Sequence, residues 1–178
     1  MKNKIFGFTL IELLISTMIM SILIGIANVS YAAIRSYWSA EETRAALYSG
    51  FITAKTQAMA SGQNTVICPS TDGAQCSARP IWQHGWIIFQ DENKNREIDA
   101  EDTPLLIQKA LSSGITLSSN QGRPRLVFQA NGSNGGTNAT FILCDSRGPS
   151  KAKSLIISNN SRIRTAPADS IAAEQTCI

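Results

Sequence analysis

The sequence predicts an α+β fold in which one long N-terminal helix packs on an antiparallel β-sheet. Two observations support this prediction. An apolar run over residues 8–34 is followed by helical spacing as far as Ala60, and the rest of the chain holds eight short segments rich in Ile, Val, Leu and Phe. Because the chain has 178 residues, of which 43% are hydrophobic, the part beyond the apolar run suffices for one compact domain.

The apolar run follows a short head with Lys2 and Lys4 and contains one charge, Glu12. At about 1.5 Å per residue the run can cross a hydrocarbon core of about 30 Å, and the two lysines would keep its N-terminus in the cytoplasm. An ionised carboxylate at the centre of such a helix costs about 2.5–3.5 kcal/mol, so Glu12 is predicted to be a functional group that needs a partner. Two alternatives remain: a secretory signal peptide cleaved near Ala33, and a plain anchor helix.

The residues before Glu12 carry a family resemblance. Gly7 precedes Phe8, and Glu12 stands at the fifth place after Gly7. This pattern resembles the cleavage and assembly motif of type IV pilins and of type II secretion pseudopilins. The resemblance implies that a prepilin peptidase cuts between Gly7 and Phe8 and methylates Phe8, and that Glu12 pairs with the terminal amine of a neighbouring subunit. Such a pairing is physically reasonable, because a buried charge is tolerated when a partner neutralises it.

The resemblance divides the chain into three parts. Residues 1–7 are expected to be a leader peptide, residues 8–34 a transmembrane and assembly helix, and residues 35–178 a periplasmic pilin-like globular domain that includes the amphipathic second half of the helix. In that half, apolar residues recur at helical spacing, and Ser61 and Gly62 are predicted to end the helix. The residues expected to face the sheet are Leu47, Phe51, Ala54 and Ala58.

The segments after the helix are predicted to form short strands separated by turns. Residues 131–138, rich in Gly and Asn, are interpreted as a hairpin loop. The predicted strands are residues 65–68, 85–89, 105–108, 115–117, 126–128, 140–144, 155–158 and 162–165.

Four cysteines lie beyond the apolar run, without a Cys-x-x-Cys pair and with a single histidine in the chain. This usage favours disulfides in an oxidising periplasm over a zinc site. Of the three connectivities open to four cysteines, Cys68 with Cys76 closes the shortest loop, which leaves Cys144 for Cys177.

Three later segments resemble one branch of the same family, the minor pilins and pseudopilins of the GspH, FimT and FimU type. These segments are residues 84–91, the stretch 141–145 around Cys144, and residues 155–164. Near the end, that branch often has Gly-Arg-x-Arg, whose arginines are implicated in DNA binding in members that take up DNA. Here Ser161 replaces the Gly and precedes Arg162 and Arg164.

The C-terminal half of the chain has an excess of basic residues, which favours an anionic partner. Residues 103–178 hold eight basic and three acidic residues, whereas residues 41–102 hold five basic and nine acidic ones. Arg162 and Arg164 alternate along a predicted strand, so both would project from one face. A solvated strand edge is the plainer alternative. The cations predicted to join this pair on DNA are Arg147, Lys151 and Lys153.

Residues 91–102 carry oxygen-bearing side chains at the spacing of a helix-loop-helix calcium loop, but Arg96 stands where Gly is expected and Asp102 where Glu is expected. A polar turn without metal is the favoured interpretation. His84 has no nucleophile motif, phosphate loop or metal cluster beside it, so the sequence predicts neither an enzyme nor a cofactor.

Together these features predict a minor type IV pilin that helps fibre assembly. Its expected partners are other pilin subunits, prepilin peptidase, the inner membrane and, as a further candidate, DNA taken up in natural transformation. The alternative is a GspH-type minor pseudopilin of a type II protein secretion system.

Overall fold

The computed structural model describes residues 8–136 and 138–177, except for the side chains of residues 26–30. The chain divides into two compact units, Met1–Arg35 and Ser36–Ile178. The first helix, α1, covers Leu10–Ser61. Among the described residues, no helix combines the length and the apolar character that crossing a membrane requires.

Within the second unit, the predicted apolar stripe of α1 is buried, and Leu47, Phe51, Ala54 and Ala58 are each at most 1% exposed. Gly50 lies on the same side, where an added Cβ would stand 3.3 Å from the Ile88 side chain. Glycine therefore allows the helix to approach the first sheet closely. The helix ends as predicted, because Gly62 takes φ 73° and donates its N–H to the Ala58 carbonyl.

All eight predicted strands are present. They form two four-stranded antiparallel sheets instead of one, with orders β3-β2-β1-β5 and β4-β6-β7-β8. The strands are β1 (Asn64–Pro69), β2 (Trp86–Asp91), β3 (Thr103–Gln108), β4 (Thr116–Ser119), β5 (Leu126–Phe128), β6 (Ala139–Cys144), β7 (Lys153–Ile157) and β8 (Ile163–Pro167).

The chain changes sheet between β3 and β4, between β4 and β5, and again between β5 and β6. The interpretation of residues 131–138 as a hairpin loop was therefore wrong. β5 pairs with β1, whereas β6 pairs with β4 and β7. The connection passes close to α1: an added Cβ on Gly132, which has φ 75°, would stand 2.8 Å from the sulfur of Met59. Glycine permits both the backbone conformation and this approach.

One core joins α1 to both sheets. The ring of Phe51 lies 6.4 Å from that of Phe128 on the first sheet and 5.1 Å from that of Phe141 on the second. Trp82 packs edge-on against Phe141 and donates its indole N–H to Ser119 at 3.0 Å. The aromatic rings of α1 and the two sheets thus fix the inner faces of the domain.

Each sheet is also covered in part on its other face. On the first sheet, a second cluster of Val66, Cys68, Ile87 and Phe89 packs against residues of the flanking loops. On the second, a short helix that the sequence analysis missed, α2 (Ser170–Thr176), packs its Ala173 with Cys144. Both predicted disulfides are confirmed: Cys68 to Cys76 and Cys144 to Cys177.

Candidate functional site

The motif around Glu12 is described from Phe8 onward, and Gly7 lies outside the described residues together with Lys2 and Lys4. The side chain of Phe8 is 77% exposed. The Thr9 hydroxyl accepts the Glu12 N–H at 3.3 Å at the start of α1. Within residues 8–136 and 138–177, no side chain forms a hydrogen bond or ion pair with the Glu12 carboxylate.

The described apolar side chains that follow Glu12 are exposed, although they are of the type that normally forms a core. Ile15, Met18 and Leu23 are each more than half exposed, as are their apolar neighbours. The polar groups are satisfied locally, since Ser16 and Ser21 donate to carbonyls of their own helix at 2.7 and 2.8 Å. Such a surface suits apolar surroundings, because the hydroxyls need no water.

Arg162 and Arg164 lie side by side at the end of the β7–β8 hairpin. Arg164 is paired with Ile156, and directly paired residues of an antiparallel sheet project from the same face. The alternate residues Leu155 and Ile157 belong to the core against α1, so both arginines project from the opposite face. They line one open depression with Ser158 and Asn160, and within the described chain neither forms an ion pair.

The turn before this pair has a backbone conformation that glycine usually adopts. Ser161 takes φ 59°, a left-handed conformation that favours Gly. Its N–H donates to the Ser158 carbonyl at 2.8 Å, and the Ser158 N–H donates to the Arg162 carbonyl at 3.0 Å. The Ser161 hydroxyl is buried without a partner among the described residues. The chain therefore adopts at Ser161 a turn that favours glycine, at a conformational cost.

Two of the other candidate cations lie on the helix-facing side of the second sheet. Arg147 binds Asp145 through two hydrogen bonds of 2.9 and 2.6 Å. Lys153 binds Glu41, and both cations lie over the ring of Tyr37, at 5.1 and 5.3 Å from its centre. Lys151 is exposed. The structure thus separates Arg147 and Lys153 from the arginine pair.

The electrostatics of this cluster favour its ionised form. Burial of Asp145 acts to raise its pKa, but the hydrogen bonds and the charge of Arg147 outweigh burial and lower the pKa. The pKa of Glu41 is lowered chiefly by its hydrogen bond to Lys153. No sequence pattern predicts this cluster, because Tyr37 and Glu41 are remote in sequence from Arg147 and Lys153.

A second basic depression was not anticipated. Arg96, Arg123 and Arg125 line it beside the edge strand β5. Arg125 forms an ion pair of 2.5 Å with the carboxylate of Glu97 and donates a hydrogen bond of 3.1 Å to the Arg96 carbonyl. Arg123 and Arg125 flank Pro124 in the sequence, but their proximity to Arg96 depends on the loop between β2 and β3.

His84 is exposed, and in the described parts of the chain no group of three or more His, Cys, Asp or Glu side chains is arranged to hold a metal ion. The loop of residues 91–102 is held largely by its own hydrogen bonds; for example, Asp99 accepts from the side-chain amides of Asn93 and Asn95 at 2.9 and 2.7 Å.

Comparisons with known families match both parts of the chain. The family model described as type II transport protein GspH matches residues 44–161, and the model of the prokaryotic N-terminal methylation motif matches residues 2–28. A search of curated proteins gives no match.

Solved structures of two kinds have a similar fold. The type IV minor pilin FimU of Pseudomonas aeruginosa matches with a TM-score of 0.57 and 23% identity over 81% of this chain and 96% of that chain; its second crystal form gives 0.55 and 24% over 79% and 98%. The minor pseudopilin EpsH of Vibrio cholerae gives 0.52 and 16% over 72% and 97%. At these identities the matches show the fold alone.

Proposed function

The chain belongs to the GspH family of minor pilins and pseudopilins, and from this membership we propose that it is a minor type IV pilin that helps to assemble a pilus. Its role is that of a structural subunit, as in the rest of its family. In this proposal, prepilin peptidase cleaves between Gly7 and Phe8 and methylates Phe8. Residues 8–34 hold the subunit in the inner membrane, with residues 35–178 in the periplasm, until the subunit enters the fibre.

One observation carries the proposal: within the N-terminal methylation motif, the helix surface is apolar and exposed, and the Glu12 carboxylate has no partner among the described residues. Exposing Ile and Leu side chains to water costs roughly 25 cal/mol for each Å² of apolar surface. Lipid and then neighbouring subunits would remove them from water, and the methylated amine of another Phe8 would neutralise Glu12. A buried ion pair of this kind fixes register, because a displaced subunit would leave the charge unpaired.

The test is to express the full chain with prepilin peptidase and to examine the products by mass spectrometry. We expect a mature chain that begins at methylated Phe8. We expect Glu12→Ala to insert in membranes normally but to be depleted from sheared fibres, and Ser16→Ala, one turn further along the same helix, to assemble like the unaltered chain. Cleavage near Ala33, or equal incorporation of Glu12→Ala, contradicts the proposal.

DNA binding during natural transformation is a second proposed function. Arg162 and Arg164 favour it, because their two guanidinium groups line one open depression and form no ion pair with any described residue. Arg suits phosphate, since its planar fork donates two parallel hydrogen bonds.

The alternative is that the chain is a GspH-type minor pseudopilin of a type II secretion system and not a subunit of a pilus. The EpsH likeness favours it no more than the FimU likeness favours the pilus. Deletion of the gene separates the two: loss of surface fibres with normal protein secretion supports the pilus, and the reverse supports secretion.

A further inference from the structure

The loop of residues 91–102 joins β2 to β3 and carries more acidic than basic residues: six carboxylates against Lys94 and Arg96. Its Ile98 packs against the cluster on the outer face of the first sheet. The loop is therefore part of the domain's packing. Its oxygen-bearing side chains recur at the first, third, fifth, ninth and twelfth positions, counted from Asp91.

The first residue of the loop carries a buried carboxylate. The backbone N–H groups of Lys94, Asn95 and Arg96 interact with it, but one of its two oxygens has no hydrogen-bond partner among the described residues. Asp91 is fully buried, and its Oδ2 accepts the Arg96 N–H at 3.2 Å. Its Oδ1 is buried and has no hydrogen-bond partner among the described residues. Nearly all buried polar atoms in proteins have a partner, and a buried carboxylate oxygen without one is costly. A cation that binds this oxygen would offset that cost.

Asp102 is the second buried carboxylate of the loop, and its charge acts on Asp91. Asp102 is 8% exposed; its two oxygens accept the N–H groups of Glu92 and Asp99, both at 3.0 Å. Burial first, and the charge of Asp102 second, raise the pKa of Asp91. Lys94 and Arg96 are exposed and form no ion pair with either carboxylate within the described chain. The pair therefore lacks a positive charge.

The two departures from a calcium loop are less serious than the sequence suggests. Glycine is expected at the sixth position because the backbone must take positive φ there, and Arg96 takes φ 64° in the structure. Asp102 at the twelfth position is shorter than Glu, but it already closes the loop through Glu92 and Asp99. The conformation that calcium requires is thus accessible to this sequence.

We propose that residues 91–102 bind one calcium ion through Asp91 Oδ1, Asp102 and the side-chain oxygens of Asn93 and Asn95. Calcium accepts mixed carboxylate, amide and carbonyl oxygen ligands, so two carboxylates suffice. Because affinity falls as ligand charge falls, the site belongs to the weak class, with a Kd of about 10⁻⁴–10⁻³ M. Bound calcium would fix the loop that carries Ile98 against the first sheet.

Isothermal titration of the full chain in detergent micelles with calcium chloride, and thermal unfolding in calcium or EDTA, test the proposal. We expect one site per chain and an unfolding temperature a few degrees higher in calcium. Asp91→Asn should weaken binding more than tenfold. Asn93→Ala, at an exposed position that does not threaten folding, should weaken it severalfold. Asp72→Asn, which alters a carboxylate in another loop, should bind calcium like the unaltered chain.

Three results would overturn the proposal: no saturable binding up to about ten times the weakest expected Kd, unchanged binding by folded Asn93→Ala, or equal weakening by Asp72→Asn. Magnesium binding as tight as calcium would overturn the assignment of the ion.

Discussion

Arg164 lies directly opposite Ile156 in the β7–β8 hairpin, and this pairing determines the face of the sheet from which the arginine projects. Ile156 alternates with Leu155 and Ile157, which pack against α1. Arg164 therefore projects away from the helix, while Lys153 projects toward it and binds Glu41. The hairpin thus uses one face for packing and the other for solvent-exposed cations.

We expect Ser161→Gly to stabilise the protein by about 1 kcal/mol. A non-glycine residue in the left-handed region costs about 1–2 kcal/mol, and the substitution also removes a buried hydroxyl without a partner. The flexibility of Gly in the unfolded chain offsets about 0.5–1 kcal/mol of this gain. Denaturant unfolding of the full chain measures the change. Ser161→Ala serves as the control, because it removes the hydroxyl but keeps the strain; a larger gain from Ala than from Gly contradicts the argument.

Asp145→Asn should destabilise the domain by about 2 kcal/mol at neutral pH, because it removes the charge that binds Arg147 while one partner is nearly buried. The pKa of Asp145 is lower in the folded state. Its stabilising effect is therefore present above the ordinary pKa of Asp and is lost as the pH falls through the lowered value. Unfolding measured between neutral pH and about pH 3 should show the difference between variant and unaltered chain shrinking as pH falls.

A matched control is Asp169→Asn. Asp169 caps α2 through Ile171 and Ala172, and Asn caps a helix about as well. This variant should lose little stability at neutral pH. A loss equal to that of Asp145→Asn would mean that general charge, and not the Arg147 pair, accounts for the effect.

Local patterns predicted the elements but not their grouping. The stripe from Leu47 to Ala58 and the eight strands depend on periodicity within short segments, so the sequence located them. The division into two sheets depends on contacts remote in sequence, such as the close approach of Gly132 to Met59 in the connection between β5 and β6. α2 was missed, although Asp169 before Ser170 is a recognisable helix start.

The candidate sites divide in the same way. Gly7, Phe8 and Glu12 form a short motif, and Arg162 and Arg164 are only two residues apart, so sequence alone brings each set together. The position of Arg147 and Lys153 beside Tyr37 could not be predicted, because it depends on how β6 and β7 pack against α1. The sequence likewise cannot show that one oxygen of Asp91 is buried without a hydrogen-bond partner among the described residues, because this depends on how the loop folds.

Replacing both Cys144 and Cys177 with Ala should cost more stability than replacing Cys68 and Cys76. The two bridges span 33 and 8 residues of sequence, and loop-entropy estimates give about 3–4 and 2–3 kcal/mol respectively. The longer bridge also holds α2, whose Ala173 packs with Cys144. Denaturant unfolding of the two double variants measures the difference; a greater loss from the shorter bridge contradicts the estimate.

The proposed DNA contact makes a prediction about salt. Contacts to phosphate carry no sequence information, so binding should be non-specific, with a Kd of about 10⁻⁴–10⁻⁶ M for one subunit. Each neutralised phosphate contributes about −0.9 to the slope of log affinity against log salt. Replacing Arg162 and Arg164 with Gln should therefore weaken binding and make the slope shallower by about 2. Fluorescence anisotropy of labelled duplex with the full chain, at several salt concentrations, measures both quantities.

The control for this measurement must remove the same charge from elsewhere. Arg79→Gln with Lys109→Gln does so at two exposed positions. Arg79 lies in the connection between β1 and β2 and Lys109 directly after β3, whereas the arginine pair lies at the β7–β8 edge hairpin. If affinity depends on the pair, this control keeps most of the affinity and the slope. If both double variants lose affinity equally, net charge alone attracts the DNA. If the Arg162 and Arg164 variant binds like the unaltered chain, the pair does not contact phosphate, and the structural role in the fibre stands without DNA binding at this hairpin.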